Sequence, residues 1–224
     1  MQATLHHVQQ ENESIQTFYF RPETMMRYVA GQFIEITLPH ANADERGIRR
    51  WFTLSSAPGH ELVSITTRRA EQSSSFKQVL LSLKTGDTLE ISEPMGDFVL
   101  PINPQTPLVF VAGGIGITPF HAIVQSLLDK KEERNIQFLY SVKTESDQIF
   151  SQVFQQSFIE KYLFVGQSRL SAQHIVDVVQ GIEGKQLFIS GPEPMTEAIV
   201  DEFKSQFGMT QDQLITDYFP GYPA

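Results

Sequence analysis

The 224 residues contain no cysteine. That excludes disulfides, a cysteine nucleophile and a cysteine-ligated iron–sulfur cluster within the chain. No apolar run approaches the ~20 residues needed to cross a bilayer as a helix. Basic residues are scarce, 17 Lys and Arg against 26 Asp and Glu, for a formal net charge of −9. That balance argues against the basic face of a nucleic-acid binder and favours solubility. The six histidines show no metal-ligand spacing, and no carboxylate pair or Ser/His/Asp set points to hydrolysis. The polar start "MQATLHHVQQENES" lacks the apolar stretch of a secretory signal, so a cytoplasmic location is the default expectation. Internal repeats and low-complexity tracts are also missing.

Hydrophobic residues make up 41% of the chain, enough for real cores, and they follow two grammars. Residues 1–102 read as short strands such as "TFYFRP", "GQFIEITLP", "RWFTLSS", "LVSITTRR" and "DTLEISEP", punctuated by Pro39, Pro58-Gly59 and Gly86-Asp87. That spacing predicts a small antiparallel barrel or sandwich. One helix interrupts it: "SSSFKQVLLSL" places Phe76, Val79, Leu80 and Leu83 on one face, with Ser74 or Ser75 as N-cap. After the prolines near 101–107, strands and helices alternate over residues 103–224, which predicts an α/β domain with a parallel sheet. Its strands are "LVFVAGG", "NIQFLYSV", "KYLFVG" and "QLFISG". Its helices are "PFHAIVQSLLDKKEE", "ESDQIFSQVFQQSF", "SAQHIVDVVQGI" and "PEPMTEAIVDEFKSQF". The stripe Ile149, Val153, Phe154 and Phe158 is read as core.

Two turns of the second half have the chemistry of a ligand site. "VAGGIGITPF" (111–120) joins the first parallel strand to its helix. Gly113, Gly114 and Gly116 allow a tight turn and close backbone approach. Thr118 suits a helix cap and Pro119 its first turn. Free amides at that helix start attract a pyrophosphate. "SGPEPM" (190–195) ends the last of these strands; Gly191 and Pro192 turn the chain sharply, and Ser190 and Glu193 sit at the carboxyl edge, where open α/β sheets bind ligands. A ligand-free strand–helix turn is the competing reading of both.

In the first half, "RRWFTLSSAPG" (49–59) mixes cations, rings and hydroxyls in one strand, a mixture of no use to an ordinary core. Together, "RWFT" (50–53), "SSSFK" (73–77), "GGIGITP" (113–119) and "SGPEPM" resemble the ordered motifs of the ferredoxin–NADP reductase superfamily of flavin-dependent oxidoreductases. The resemblance covers nearly the whole chain. Serine stands at 190 where the family has cysteine.

That resemblance implies a six-stranded antiparallel flavin-binding β-barrel followed by a parallel-sheet nicotinamide-nucleotide-binding α/β domain, with FAD and NAD(P)H as cofactors. Arg50 would pair with the flavin pyrophosphate, as a guanidinium fork suits phosphate. Phe52 would lie against the flavin, and Thr53 would hydrogen-bond near N5. Trp51, also counted on the flavin side, alternates with Phe52 and is expected to point to the core. Arg49 reads as a solvated charge. Ser74, Ser75 and Phe76 would start the phosphate-holding helix, and Thr66 lies on a neighbouring strand of the flavin domain. Gly113, Gly114, Gly116, Thr118, Pro119, Gly191, Pro192 and Met195 would hold the nicotinamide nucleotide, with Ser190 placing its ring. Lys143 and Arg169 follow strands and are candidates for a 2′-phosphate, which leaves NADH or NADPH open with a lean to NADPH. Phe219 in "DYF", or its rival Tyr222, would cover the flavin ring. The implied activity is hydride transfer from NAD(P)H to FAD, with electrons passed to a separate protein or small-molecule acceptor. A flavin reductase using free flavin, and a non-catalytic flavin- and nucleotide-binding regulator, are the alternatives.

Overall fold

The computed structural model describes residues 1–69, 73–166 and 170–219, with side chains up to Asp217 in the last segment. It divides into two compact units, Met1–Val99 and Leu100–Ala224.

The first unit is a six-stranded antiparallel sheet of order β4-β3-β6-β1-β2-β5. The strands are β1 Gln2–Gln10, β2 Ile15–Pro22, β3 Phe33–Thr37, β4 Arg49–Thr53, β5 Val63–Arg68 and β6 Thr88–Ile91. Its edges meet where Leu54, just past β4, bridges Ile65 of β5. That contact brings the two edge strands together in a barrel-like arrangement. The alternation seen in "FIEIT" has the expected cause, because Ile34 and Ile36 point inward and are fully buried. They join Leu5, Phe18, Phe20, Val63, Ile65 and Ile91 in one core. Burying each such side chain stabilises by about 1.5–3 kcal/mol. The helix α1, Ser75–Ser82, adds Phe76 and Leu80 to that core.

Trp51 departs from expectation. It is 65% exposed rather than in the core. Register explains why: Arg50 pairs with Ile36 and Phe52 with Ile34, so Arg50 and Phe52 take the inner face. Trp51 pairs with Glu35 on the outer face and leans on the Phe33 ring, 6.0 Å between centroids.

The second unit holds β7 Leu108–Gly113, α2 Thr118–Lys130, β8 Ile136–Val142, β9 Ile159–Val165, α3 Ala172–Val178, β10 Gln186–Pro192, α4 Glu193–Phe207 and β11 Leu214–Phe219. The five strands are parallel, in the order β11-β10-β7-β8-β9. β7 is buried at every position, as its unbroken apolar run implies. The chain entering this unit is clamped by Arg134, 8% exposed, whose Nη1 donates to the carbonyls of Pro101 and Asn103.

Two elements differ from the sequence reading. The helix expected over 145–158 does not form; a single 3-10 turn, Glu145–Asp147, stands at its start. Thr144 and Asp147 cap that turn reciprocally, Gln148 is extended, and Phe150 has φ +57°. Ile149 and Phe154 still reach the core, from turns rather than from a helical stripe. Conversely, the segment "LITDYF" forms β11 beside β10, where only a tail was expected.

Candidate functional site

β7 and β10 are neighbours, yet the chain leaves them toward opposite sides of the sheet: β7 leads to β8, and β10 to β11. The carboxyl ends of such a pair form a topological switch point, where open α/β sheets take their ligands. The glycine turn ends β7 and the segment Ser190–Pro192 ends β10, so both sequence motifs lie at that crevice.

The glycines there divide their labour. A Cβ on Gly116 would overlap the carbonyl of Ser190, and one on Gly113 or Gly191 would overlap the side chain of Met195. These three are glycine because the turn packs directly on β10 and the first turn of α4. Gly114 differs: its φ is +53° and a Cβ there would meet nothing within 4 Å. The open approach to the turn is therefore at Gly114. A 3-10 segment, Gly114–Ile117, leads into α2. Thr118 is already helical and 2% exposed, and it makes no side-chain cap bond, so the expected capping role is not present. Pro119 sits in the first turn as expected. No acidic side chain occupies the first turn of either segment.

Ser190 is fully buried, and its Oγ has no hydrogen-bond partner among the described residues. A buried hydroxyl without a partner costs about 1–3 kcal/mol, a cost that a ligand donor or acceptor would remove. This orphan and the opening at Gly114 fit a nucleotide at the switch point. Pro192 and Lys143 are exposed and Met195 is half-buried. Arg169, Tyr222 and the side chain of Phe219 lie outside the described residues.

In the barrel unit, the second candidate site forms around the start of α1. Ser74 is the N-cap, its Oγ accepting from the Lys77 amide at 3.3 Å. Phe52 stacks near Phe76 at 6.0 Å, and the Arg50 guanidinium lies over the same ring at 5.2 Å. Arg50 Nη1 donates to the carbonyls of Arg46, Gly47 and Arg49, and Nη2 to Asp44 Oδ1 at 3.3 Å. The other oxygen of Asp44 accepts the Ser75 amide at 2.8 Å. Ser75 Oγ in turn accepts the Asp44 amide and meets His40 Nε2. The Ser75 amide, more than any other contact, holds the Asp44 carboxyl below its usual pKa. Neither Asp44 nor His40 carried any local signal in "LPHANADERG"; their partner is α1, far along the chain.

The remaining barrel candidates are buried. Thr53 is 5% exposed. Thr66 Oγ1 is bonded to Thr17 Oγ1 and Ser55 Oγ, both at 2.9 Å, in a buried hydroxyl chain that continues to Ser64. Tyr28, which sequence reasoning missed, ties the loop after β4: its hydroxyl contacts the Ser56 hydroxyl and the carbonyls of Ser56 and Ala57. Burial pushes its pKa up to about 12.

Residues 110–162 match the family described as the oxidoreductase NAD-binding domain. The chain is 33% identical over 138 residues to a flavohemoprotein of Bacillus subtilis (strain 168), an alignment covering 60% of this chain and 34% of that relative. It therefore spans about a third of that protein's length. Among solved structures, the FAD/NAD-binding domain of a nitric oxide dioxygenase from Vibrio cholerae O1 biovar El Tor superposes with a TM-score of 0.80 at 19% identity, covering 98% of each chain. A ferredoxin–NADP+ reductase from Neisseria gonorrhoeae, solved with bound FAD and NADP, gives 0.79 at 16% identity, covering 97% of this chain and 98% of that one. The fold is that of the ferredoxin–NADP reductases. In that fold, the glycine turn and Ser190 stand on the parallel sheet, and Arg50, Phe52 and α1 on the barrel.

Proposed function

We propose that the chain is the reductase portion of an NAD(P)H-dependent flavoprotein. It takes hydride from a nicotinamide nucleotide onto bound FAD and delivers electrons to a separate acceptor. The observation that carries this reading is the switch point itself, where the open Gly114 and the unpartnered Ser190 hydroxyl end adjacent strands. The amides of the glycine turn are the donors for a pyrophosphate, aided by the helix start at Thr118 and Pro119. Ser190 orients the nicotinamide by giving its hydroxyl a partner. Lys143 and Arg169 are the cations for a 2′-phosphate, with NADPH as the favoured donor.

On the barrel, Arg50, Phe52, Thr53, Thr66, Ser74, Ser75 and Phe76 make up the flavin side, and Phe219 covers the flavin ring. Trp51, turned outward, packs on Phe33. The bound flavin and nicotinamide supply the redox chemistry; the chain's own residues supply position and electrostatics. The acceptor is a separate protein or a small molecule, and a haem domain of the flavohemoprotein kind is one candidate. Among the described residues no helix is long and apolar enough to cross a membrane, in keeping with a cytoplasmic electron-transfer role.

One observation favours a second reading, a flavin reductase that holds free flavin as substrate: Asp44 stands among the groups suited to a flavin phosphate. A visible spectrum of the purified protein, followed by anaerobic titration with NADH and with NADPH, separates the readings. A yellow protein that bleaches with either nucleotide is expected. A colourless protein that reduces added flavin selects the second reading, and no flavin reduction by either nucleotide sinks both.

A further inference from the structure

Both groups expected to hold a flavin phosphate already hold an anion. Asp44 places one carboxylate oxygen on the first amide of α1 and the other beside the Arg50 guanidinium. A phosphate at this position would seek the same two donors, because an amide at a helix start and a guanidinium fork are what phosphate oxygens prefer. The contact is built rather than incidental. The Asp44 amide donates to Ser75 Oγ, His40 Nε2 meets the same hydroxyl, and the Arg46 amide returns to Asp44 Oδ1. Together these bonds fold residues 40–47 against the helix start. The Asp44 side chain is 31% exposed and that of Arg50 14%, so the pair sits at the edge of solvent and is partly screened.

We infer that Asp44 is a resident anion in the flavin-phosphate cradle, a specificity-determining residue that weakens phosphate-bearing flavins relative to riboflavin. This rests on the flavoprotein reading above. An incoming phosphate must displace the carboxylate or share Arg50 with it, and either route costs free energy that riboflavin, lacking phosphate, does not meet. The flavin is therefore held more loosely than the rest of the cradle permits, and exchange with solution is favoured.

The test uses the full chain stripped of flavin and the variant Asp44→Asn, which keeps the side-chain size and one acceptor oxygen and removes the charge. FAD, FMN and riboflavin are titrated into each, followed by quenching of flavin fluorescence, with melting temperature as a check on folding. The variant is expected to bind FAD and FMN about tenfold more tightly and riboflavin unchanged, the effect of one screened like charge. Equal FAD affinity in the two proteins, weaker FAD binding by the variant, or the same gain for all three flavins overturns the inference. Inorganic pyrophosphate, read by thermal shift, separates its failure from that of the flavoprotein reading. Pyrophosphate that protects Asp44→Asn more than the parent, while no flavin binds either protein, keeps the resident anion and overturns the flavoprotein. Equal protection by pyrophosphate together with equal FAD affinity does the reverse.

Discussion

Two helix starts in this molecule suit an anion, and they are furnished in opposite ways. At α1 the amide of Ser75 already has a carboxylate, and Arg50 is wrapped by three carbonyls and Asp44. At the turn leading into α2 no acidic side chain intrudes, no side-chain cap is made, and Gly114 faces open space. The first site is satisfied from within the chain, and the second is the one proposed for the nucleotide. Polar groups at a helix end need partners either way, so what distinguishes the two is whether a neighbouring loop supplies them.

The largest expected effect lies inside the second site. Gly116→Ala sets a Cβ against the Ser190 carbonyl and the Gly191 amide, both backbone and unable to swing aside. A loss of about 3 kcal/mol is expected in urea unfolding. Gly114→Ala meets no atom and bears only its left-handed φ of +53°, at a cost of about 1 kcal/mol. Equal costs for the two would mean that the turn does not rest on β10 as described. Next comes Ser190→Ala. Removing a buried hydroxyl without a partner should leave the protein as stable or about 1 kcal/mol more stable, while slowing flavin reduction about tenfold, one hydrogen bond's worth. A clear loss of stability would show that the hydroxyl is already satisfied, and the contrast between the two sites would fade.

The smallest effect concerns acid. The Asp44 carboxyl has a folded pKa below its ordinary 3.8, chiefly through the Ser75 amide. A depressed carboxylate stabilises above the unfolded value, and that stability is lost as pH falls through the folded one. The melting-temperature advantage of the parent over Asp44→Asn should therefore shrink as pH drops below 3.8. An advantage constant across the acid range would remove the charge of Asp44 from the cap.

Much of this was legible along the chain. The alternation in "FIEIT" and the unbroken run of β7 act through nearest neighbours, so their period survives in one dimension; the glycines before Pro119 were visible as a spacing, although Gly113 and Gly116 are required by packing against Met195 and β10. The helix expected over 145–158 was lost because Ile149 and Phe154 find the core without helical backbone, which periodicity cannot distinguish from a stripe. Trp51 was misplaced for a related reason. Its face depends on which neighbour of the strand goes inward, and Arg50 goes inward only because α1 and the loop 44–47 surround its guanidinium.

Composition and the strand and helix periods thus followed from local chemistry: which backbone each residue permits and which face it buries. The pairing of Asp44 with α1 and the isolation of Ser190 depend instead on residues brought together from distant positions. Ser75 lies 31 positions beyond Asp44, a separation that no local pattern encodes. Only the packed chain decides which polar groups find partners at home and which, like the Ser190 hydroxyl, do not.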